Sequence, residues 1–219
     1  MTLETPAQRG ADRSSEAREM GRCITPALPA GPFDVIYADP PWRFASNSEA
    51  KPGRNARRHY PTMTVAEIAA LPVREIAARD ALLLMWVTVP LADRAPEVMR
   101  AWGFRYVSQV VWVKSRIAIG YWARNRHEPL LIGTRGRFPC PKPALFGDSV
   151  ILAPTREHSR KPEMVRAVLG TRFAHLRRIE LFARSAAPGW TVWGNEAPGD
   201  DANRVTQKAK QGDHEPPAE

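Results

Sequence analysis

Asp39-Pro40-Pro41-Trp42 sets a carboxylate, a stiffened carbonyl and a large aromatic at the end of an apolar run, Phe33-Asp34-Val35-Ile36-Tyr37-Ala38. The run reads as a buried strand, and open α/β sheets bind ligands at the carboxyl ends of their strands. These groups suit methyl transfer to the exocyclic amino group of adenine or cytosine. An aromatic amine is a poor nucleophile because its lone pair is delocalised into the ring. As it attacks it becomes tetrahedral and positively charged. The Asp39 carboxylate can accept one N–H, a charge-assisted hydrogen bond. The Pro40 carbonyl can accept the other. Both acceptors favour the developing cation over the flat ground state. Pro41 fixes its own φ and restricts Pro40 to extended conformations, which holds that carbonyl still. Trp42 offers a face on which an extruded base can stack, worth about 1–3 kcal/mol. A plain Pro-Pro turn after a strand is the alternative in a chain with 21 prolines.

The elements that must position these residues alternate between strands and helices. Strands are predicted at Asp34–Ala38, Ala81–Val87, Tyr106–Val113, Pro129–Thr134, Ser149–Leu152, Arg178–Phe182 and Thr191–Trp193. Helices are predicted from Thr64, with Thr64 and Glu67 as a capping box, at Leu91–Trp102 before Gly103, and at Glu163–Leu169 before Gly170. Such alternation implies a mostly parallel, doubly wound sheet with helices on both faces, carrying a late antiparallel pair. Residues 1–30 and 197–219 are polar and charged and read as a loose N-terminal segment and a flexible tail, leaving one domain at 31–196.

Composition narrows the class. The net charge of +9 fits a polyanion binder. The loop after Trp42 holds Arg43, Lys51, Arg54, Arg57, Arg58, His59 and Tyr60, a basic stretch with an aromatic suited to phosphates and bases. Residues 119–128 repeat that mixture and suggest a second lip of the same cleft. No run of about 18 apolar residues is present, which predicts no membrane span. The N-terminus lacks an apolar signal core, and two distant cysteines, Cys23 and Cys140, suit a reducing compartment, so a cytoplasmic location is expected. No metal cluster is expected.

The run from Asp34 to Trp42 resembles the signature of the MT-A family of S-adenosylmethionine-dependent adenine N(6)-methyltransferases. Further stretches resemble it in the same order: His59-Tyr60-Pro61-Thr62-Met63, Leu84-Met85-Trp86-Val87-Thr88, Val111-Trp112-Val113-Lys114, His127-Glu128-Pro129, Arg160-Lys161-Pro162-Glu163, Ile179-Glu180-Leu181-Phe182-Ala183-Arg184 and Trp190-Thr191-Val192-Trp193-Gly194-Asn195-Glu196. The resemblance implies a single Rossmann-like methyltransferase domain, circularly permuted so that the catalytic motif precedes the cofactor strand. It implies catalysis by Asp39, Pro40, Pro41 and Trp42, and S-adenosylmethionine held by Asp39, Lys161, Glu180, Leu181, Arg184, Asn195 and Glu196. Physical sense supports part of this. Lys161 can meet the donor carboxylate as a point charge, and Glu180 in an apolar strand needs a partner. Asn195 and Glu196 end the last strand, where polar groups can read ribose hydroxyls. Tyr60, Glu128, Lys114, Arg57 and Arg58 are the implied substrate contacts.

The small, unadorned domain looks like the bacterial or phage type, so DNA is favoured over RNA as the nucleic-acid substrate. A homodimer or a related partner subunit is a family-level expectation. RNA methylation, and a silent nucleic-acid-binding partner subunit, are the alternatives. The target must be single-stranded or flipped out, because a base inside a duplex cannot reach a strand end.

Overall fold

The computed structural model describes residues 26–44, 62–118, 120, 122–156 and 160–197. Seven strands form one sheet: β1 (Phe33–Ala38), β2 (Ala77–Trp86), β3 (Arg105–Lys114), β4 (His127–Arg135), β5 (Val150–Ala153), β6 (Arg178–Leu181) and β7 (Thr191–Trp193). Their spatial order is β5-β3-β4-β2-β1-β6-β7. Helices α1 (Val65–Ala69), α2 (Val73–Ile76), α3 (Ala95–Ala101) and α4 (Glu163–Arg172) connect them. Residues 45–61, with Arg57, Arg58 and Tyr60, and most of the two terminal segments lie outside the described residues.

β1 lies between β2 and β6 and is parallel to both, and helices cover both faces of the sheet there. That placement explains an apolar run without polar alternation. Ile36 and Ala38 join Leu83, Met85, Ile179 and Leu181 on one face, beneath α1, α2 and α3. Val35 and Tyr37 join Leu84, Trp86 and Trp112 on the other, where Val165 and Leu169 of α4 pack. The sheet is therefore doubly wound, as expected. The late antiparallel strand is β4, which pairs with β3 on one side and β2 on the other. It sits inside the sheet instead of at an edge.

Several boundaries differ from expectation for identifiable reasons. The Thr64 cap forms as predicted: Glu67 N donates to Thr64 Oγ1, and Thr64 N donates to Glu67 Oε2 at 2.7 Å. The helix expected at 91–102 is split into a 3₁₀ turn, Val89–Leu91, and α3. Pro96 has no N–H to donate and fits only a first helical turn, so α3 starts at Ala95. Gly170 does not stop α4, which runs to Arg172. β6 ends one residue early because Phe182 turns to φ +62. Residues 26–30, assigned above to the loose N-terminal segment, lie against the domain: Trp193 Nε1 donates to Pro26 O and Ala27 O, and Leu28 packs on the core.

Candidate active site

Two adjacent parallel strands, β1 and β6, end together, and the chain turns away from both. An open cleft forms there, lined by Asp39, Lys161, Arg166, Glu180, Arg184 and neighbours.

The segment after β1 is clamped from both sides. Asp39 N donates to Leu181 O, extending the ladder one residue beyond the strand. Pro41 O accepts from Met63 N, and Met63 O accepts from Arg43 N, both at 2.7 Å. Arg43 reaches back to Thr62 O at 2.6 Å. Two prolines thus sit in a strap whose remaining backbone groups are used. Pro40 O accepts from Trp42 N at 2.9 Å, so one lone pair is engaged and the other remains for a ligand.

Trp42 departs from the expectation of a stacking face. It is only 7% exposed, belongs to the core, and donates its indole N–H to Trp86 O at 2.9 Å. Trp86 in turn donates to Tyr37 Oη at 2.7 Å. The ring is an internal prop that fixes the prolines from beneath. Burial pushes the Tyr37 phenol far above its ordinary range, so it stays neutral.

Charge is organised in two groups. Lys161 Nζ straddles Asp39, at 2.7 Å from Oδ1 and 2.8 Å from Oδ2. It also lies 3.5 Å from Glu128 Oε2, and Glu128 pairs with Lys114. Asp39, Lys161, Glu128 and Lys114 therefore form a chain of alternating sign. Burial works to raise the Glu128 carboxyl, but Lys161 and Lys114 outweigh it and hold the group below its usual range. In the second group Glu180 accepts from Arg166 Nη1 at 3.1 Å. Arg166 also pairs with Glu163 and reaches Ser185 Oγ at 3.4 Å. Here burial dominates and pushes the Glu180 carboxyl up, despite Arg166.

The remaining predicted residues divide. Asp39, Lys161, Glu180 and Arg184 line the cleft, and Lys114 and Glu128 join it through Lys161. Leu181 does not open to it: its side chain is fully buried in the core, and only its backbone stands near Asp39. Asn195 and Glu196 are exposed beyond β7 and outside the lining; Glu196 approaches Arg184 at 3.9 Å. Gly194 brings them close, since a Cβ there would lie 2.9 Å from Phe182 Cα. Phe182 holds its left-handed backbone with its ring edge-on to Trp193 at 5.4 Å, a local constraint of the kind that gathers at ligand sites. Arg166 was not read as a site residue. Its signal was the spacing of three from Glu163, which places both on one face of α4.

Residues 33–196 match the profile of the MT-A70 family. The chain belongs to the MT-A70 family. It is a methyltransferase. It is 30% identical over 200 residues to the type II methyltransferase M.MunI of Mycoplasma sp, covering 84% of this chain and 86% of that protein. The N(6)-adenosine-methyltransferase MT-A70-like protein of Arabidopsis thaliana is 32% identical over 179 residues, which span 77% of this chain but 24% of the plant protein. The human N(6)-adenosine-methyltransferase catalytic subunit METTL3 is 30% identical over 179 residues, 77% of this chain and 29% of its own length. The MT-A70 chain thus spans most of the Mycoplasma enzyme and under a third of these two eukaryotic proteins. No helix among its described residues is long and apolar enough to cross a membrane.

Proposed function

We propose that this chain transfers a methyl group from S-adenosylmethionine to the exocyclic amino group of adenine in DNA. The observation that carries the reading is the placement of Asp39, beside a constrained Pro40 carbonyl, in a cleft that also holds Lys161, Glu180 and Arg184. This donor set fits the proposed methyl donor: a cation for its carboxylate, and acids for its amino group and ribose hydroxyls. Bound there, S-adenosylmethionine supplies an electrophilic methyl group on a sulfonium.

The chain's own residues do the rest. Asp39 and the free lone pair of Pro40 O accept the two N–H groups of the amine and stabilise the positive charge it gains on attack. Lys161 bridges both Asp39 oxygens, and each oxygen keeps a second lone pair with which to accept an N–H. Glu128, 3.5 Å from the same ammonium, shares in holding it there. After transfer the methylated amine is strongly acidic and gives its extra proton up without a dedicated base.

DNA is favoured because the chain matches the Mycoplasma type II methyltransferase nearly end to end. RNA is the second reading, since the eukaryotic relatives are named for adenosine. The deciding experiment incubates the protein with labelled donor and either polymer, then digests each and weighs the nucleosides. Label on deoxyadenosine is expected. Label on cytosine alone, or on neither polymer, overturns the proposal; label on adenosine alone moves the substrate to RNA.

A further inference from the structure

We propose that Trp122 is a stacking platform for an unpaired base beside the target adenine, with Arg124 and Arg126 meeting the flanking phosphates. The inference rests on the reading above and adds where the strand lies and in what state it is taken. The tryptophans show the contrast. Trp42, Trp86, Trp102, Trp112, Trp190 and Trp193 are all buried, while Trp122 is fully exposed, at 104% of the reference value. Its ring and indole N–H meet no described residue in a hydrogen bond or ring contact. A single exposed apolar side chain is ordinary by itself; what singles out Trp122 is the company it keeps.

The surroundings say what docks. Trp122 stands on the connection between β3 and β4. The turn beside it is tight: a Cβ on Gly120 would lie 1.9 Å from Ala123 O, so glycine is required there. Arg124 Nε donates to Ala118 O and Arg126 Nε donates to Lys114 O, each at 3.0 Å. One nitrogen of each guanidinium is thereby pinned to the backbone, and the outer ones face solvent on exposed residues. Lys114, Arg116, Arg124 and Arg126 bring four cations to the stretch from 114 to 127, which has no acid in it. Anchored cations flanking a bare ring suit a chain of alternating phosphates and flat bases. A base stacked in a duplex has no free face, so the strand must be single or locally opened.

Position ties this platform to the chemistry. Its two ends are Lys114 and Glu128, paired to each other, and Glu128 faces the Lys161 that straddles Asp39. A strand lying across Trp122 therefore runs on toward Asp39.

The test uses the full chain and fluorescent oligonucleotides of about 12 nucleotides, matching the span of a single-strand groove, in deoxy and ribo forms and as duplex. Trp122→Ala is expected to weaken single-strand binding by about 10- to 100-fold, and Trp122→Phe to restore most of it. The double variant Arg124→Gln and Arg126→Gln should flatten the salt dependence by about 0.7 per lost phosphate contact. Unchanged melting of Trp122→Ala serves as the folding control, because the ring packs on nothing. Equal affinity of Trp122→Ala and the parent overturns the proposal. So does a dimer in sedimentation that Trp122→Ala splits while strand affinity holds, which assigns the ring to a second copy. Strand binding needs no donor: unchanged strand affinity of Trp122→Ala beside a parent that transfers methyl sinks only this inference, whereas a parent that labels no polymer sinks the function it rests on.

Discussion

Glu128 and Glu180 are carboxylates of similar burial beside one cleft, and their surroundings drive them in opposite directions. Glu128 sits between two lysines, and their combined field exceeds the burial penalty, so its carboxyl is held down. Glu180 shares a single arginine with Glu163, and burial wins, so its carboxyl is pushed up. The number of cations per buried acid decides the sign. The first group, two acids and two bases, is balanced before any ligand arrives. In the second, Arg156 meets Glu163, but Glu180 itself reaches only Arg166, which Glu163 also engages, so the buried acid is left under-compensated; that suits a site for a cationic or hydroxyl-bearing ligand.

The sharpest way to break this division is to remove Asp39, the acid of the balanced group to which the proposed function assigns the amine. Asp39→Ala is expected to lower kcat by about 10²- to 10³-fold, the scale for losing one transition-state hydrogen-bonding partner. Donor binding, read as a heat-stability shift, should persist through Lys161, Glu180 and Arg184. Wild-type turnover in a variant that still captures its donor would remove Asp39 from the chemistry.

Glu128→Gln comes next. It takes from Lys114 the carboxylate that it pairs with and from Lys161 one of its two acids, and an unpaired buried charge costs about 3 kcal/mol. The sign follows from the lowered carboxyl. A group whose folded pKa lies below its unfolded value contributes stability above the ordinary carboxylate range and loses it as pH falls through the folded value. The penalty of Glu128→Gln should therefore be full at neutral pH and shrink on acidification. A Tm difference that stays constant down to the acid side would show that the two lysines do not set it.

Much of this arrangement could be read before the fold was known, and the unread part has a common cause. β1 declared itself because a central strand is apolar on both faces, and Thr64 with Glu67 because capping is local. Asp39 and Lys161 could be named, but not their contact, which joins residues 122 apart. Trp42 was misjudged for the same reason: a ring after two prolines can point either way, and Trp86 O, 44 residues on, decides it. Arg166 lay in an ordinary helix pattern, and only the packing of α4 beside β6 gives it a role. Local chemistry is legible in a sequence; which charge meets which is settled by long-range geometry.

Arg166 tests the second group directly. Arg166→Met removes the cation that opposes burial at Glu180, so the carboxyl rises further and its ionised form becomes scarcer on the acid side of neutrality. Donor KM should increase by several-fold and worsen as pH falls, while kcat at saturating donor changes little. Arg166→Lys should recover part of the affinity. A KM that is equally affected at every pH would reduce Arg166 to a structural role.

Glu180→Gln carries the smallest effect and the most telling sign. A carboxyl whose folded pKa is raised contributes stability below its ordinary range and loses it as pH rises through the folded value. At neutral pH the ionised Glu180 is thus a net cost, and the neutral amide should stabilise the protein by on the order of 1 kcal/mol, or about 2–4 °C in Tm. The gain should fade as pH falls, because the native carboxyl then becomes neutral by itself. Arg166 keeps Glu163 as its partner, so no cation is orphaned. Donor affinity should fall in the same variant. A protein that becomes more stable and binds worse on one substitution is the behaviour of an acid retained for its ligand, and it is the opposite of what Glu128→Gln should show. If Glu180→Gln destabilised the fold at neutral pH, the two carboxylates would be alike and the division between the groups would collapse.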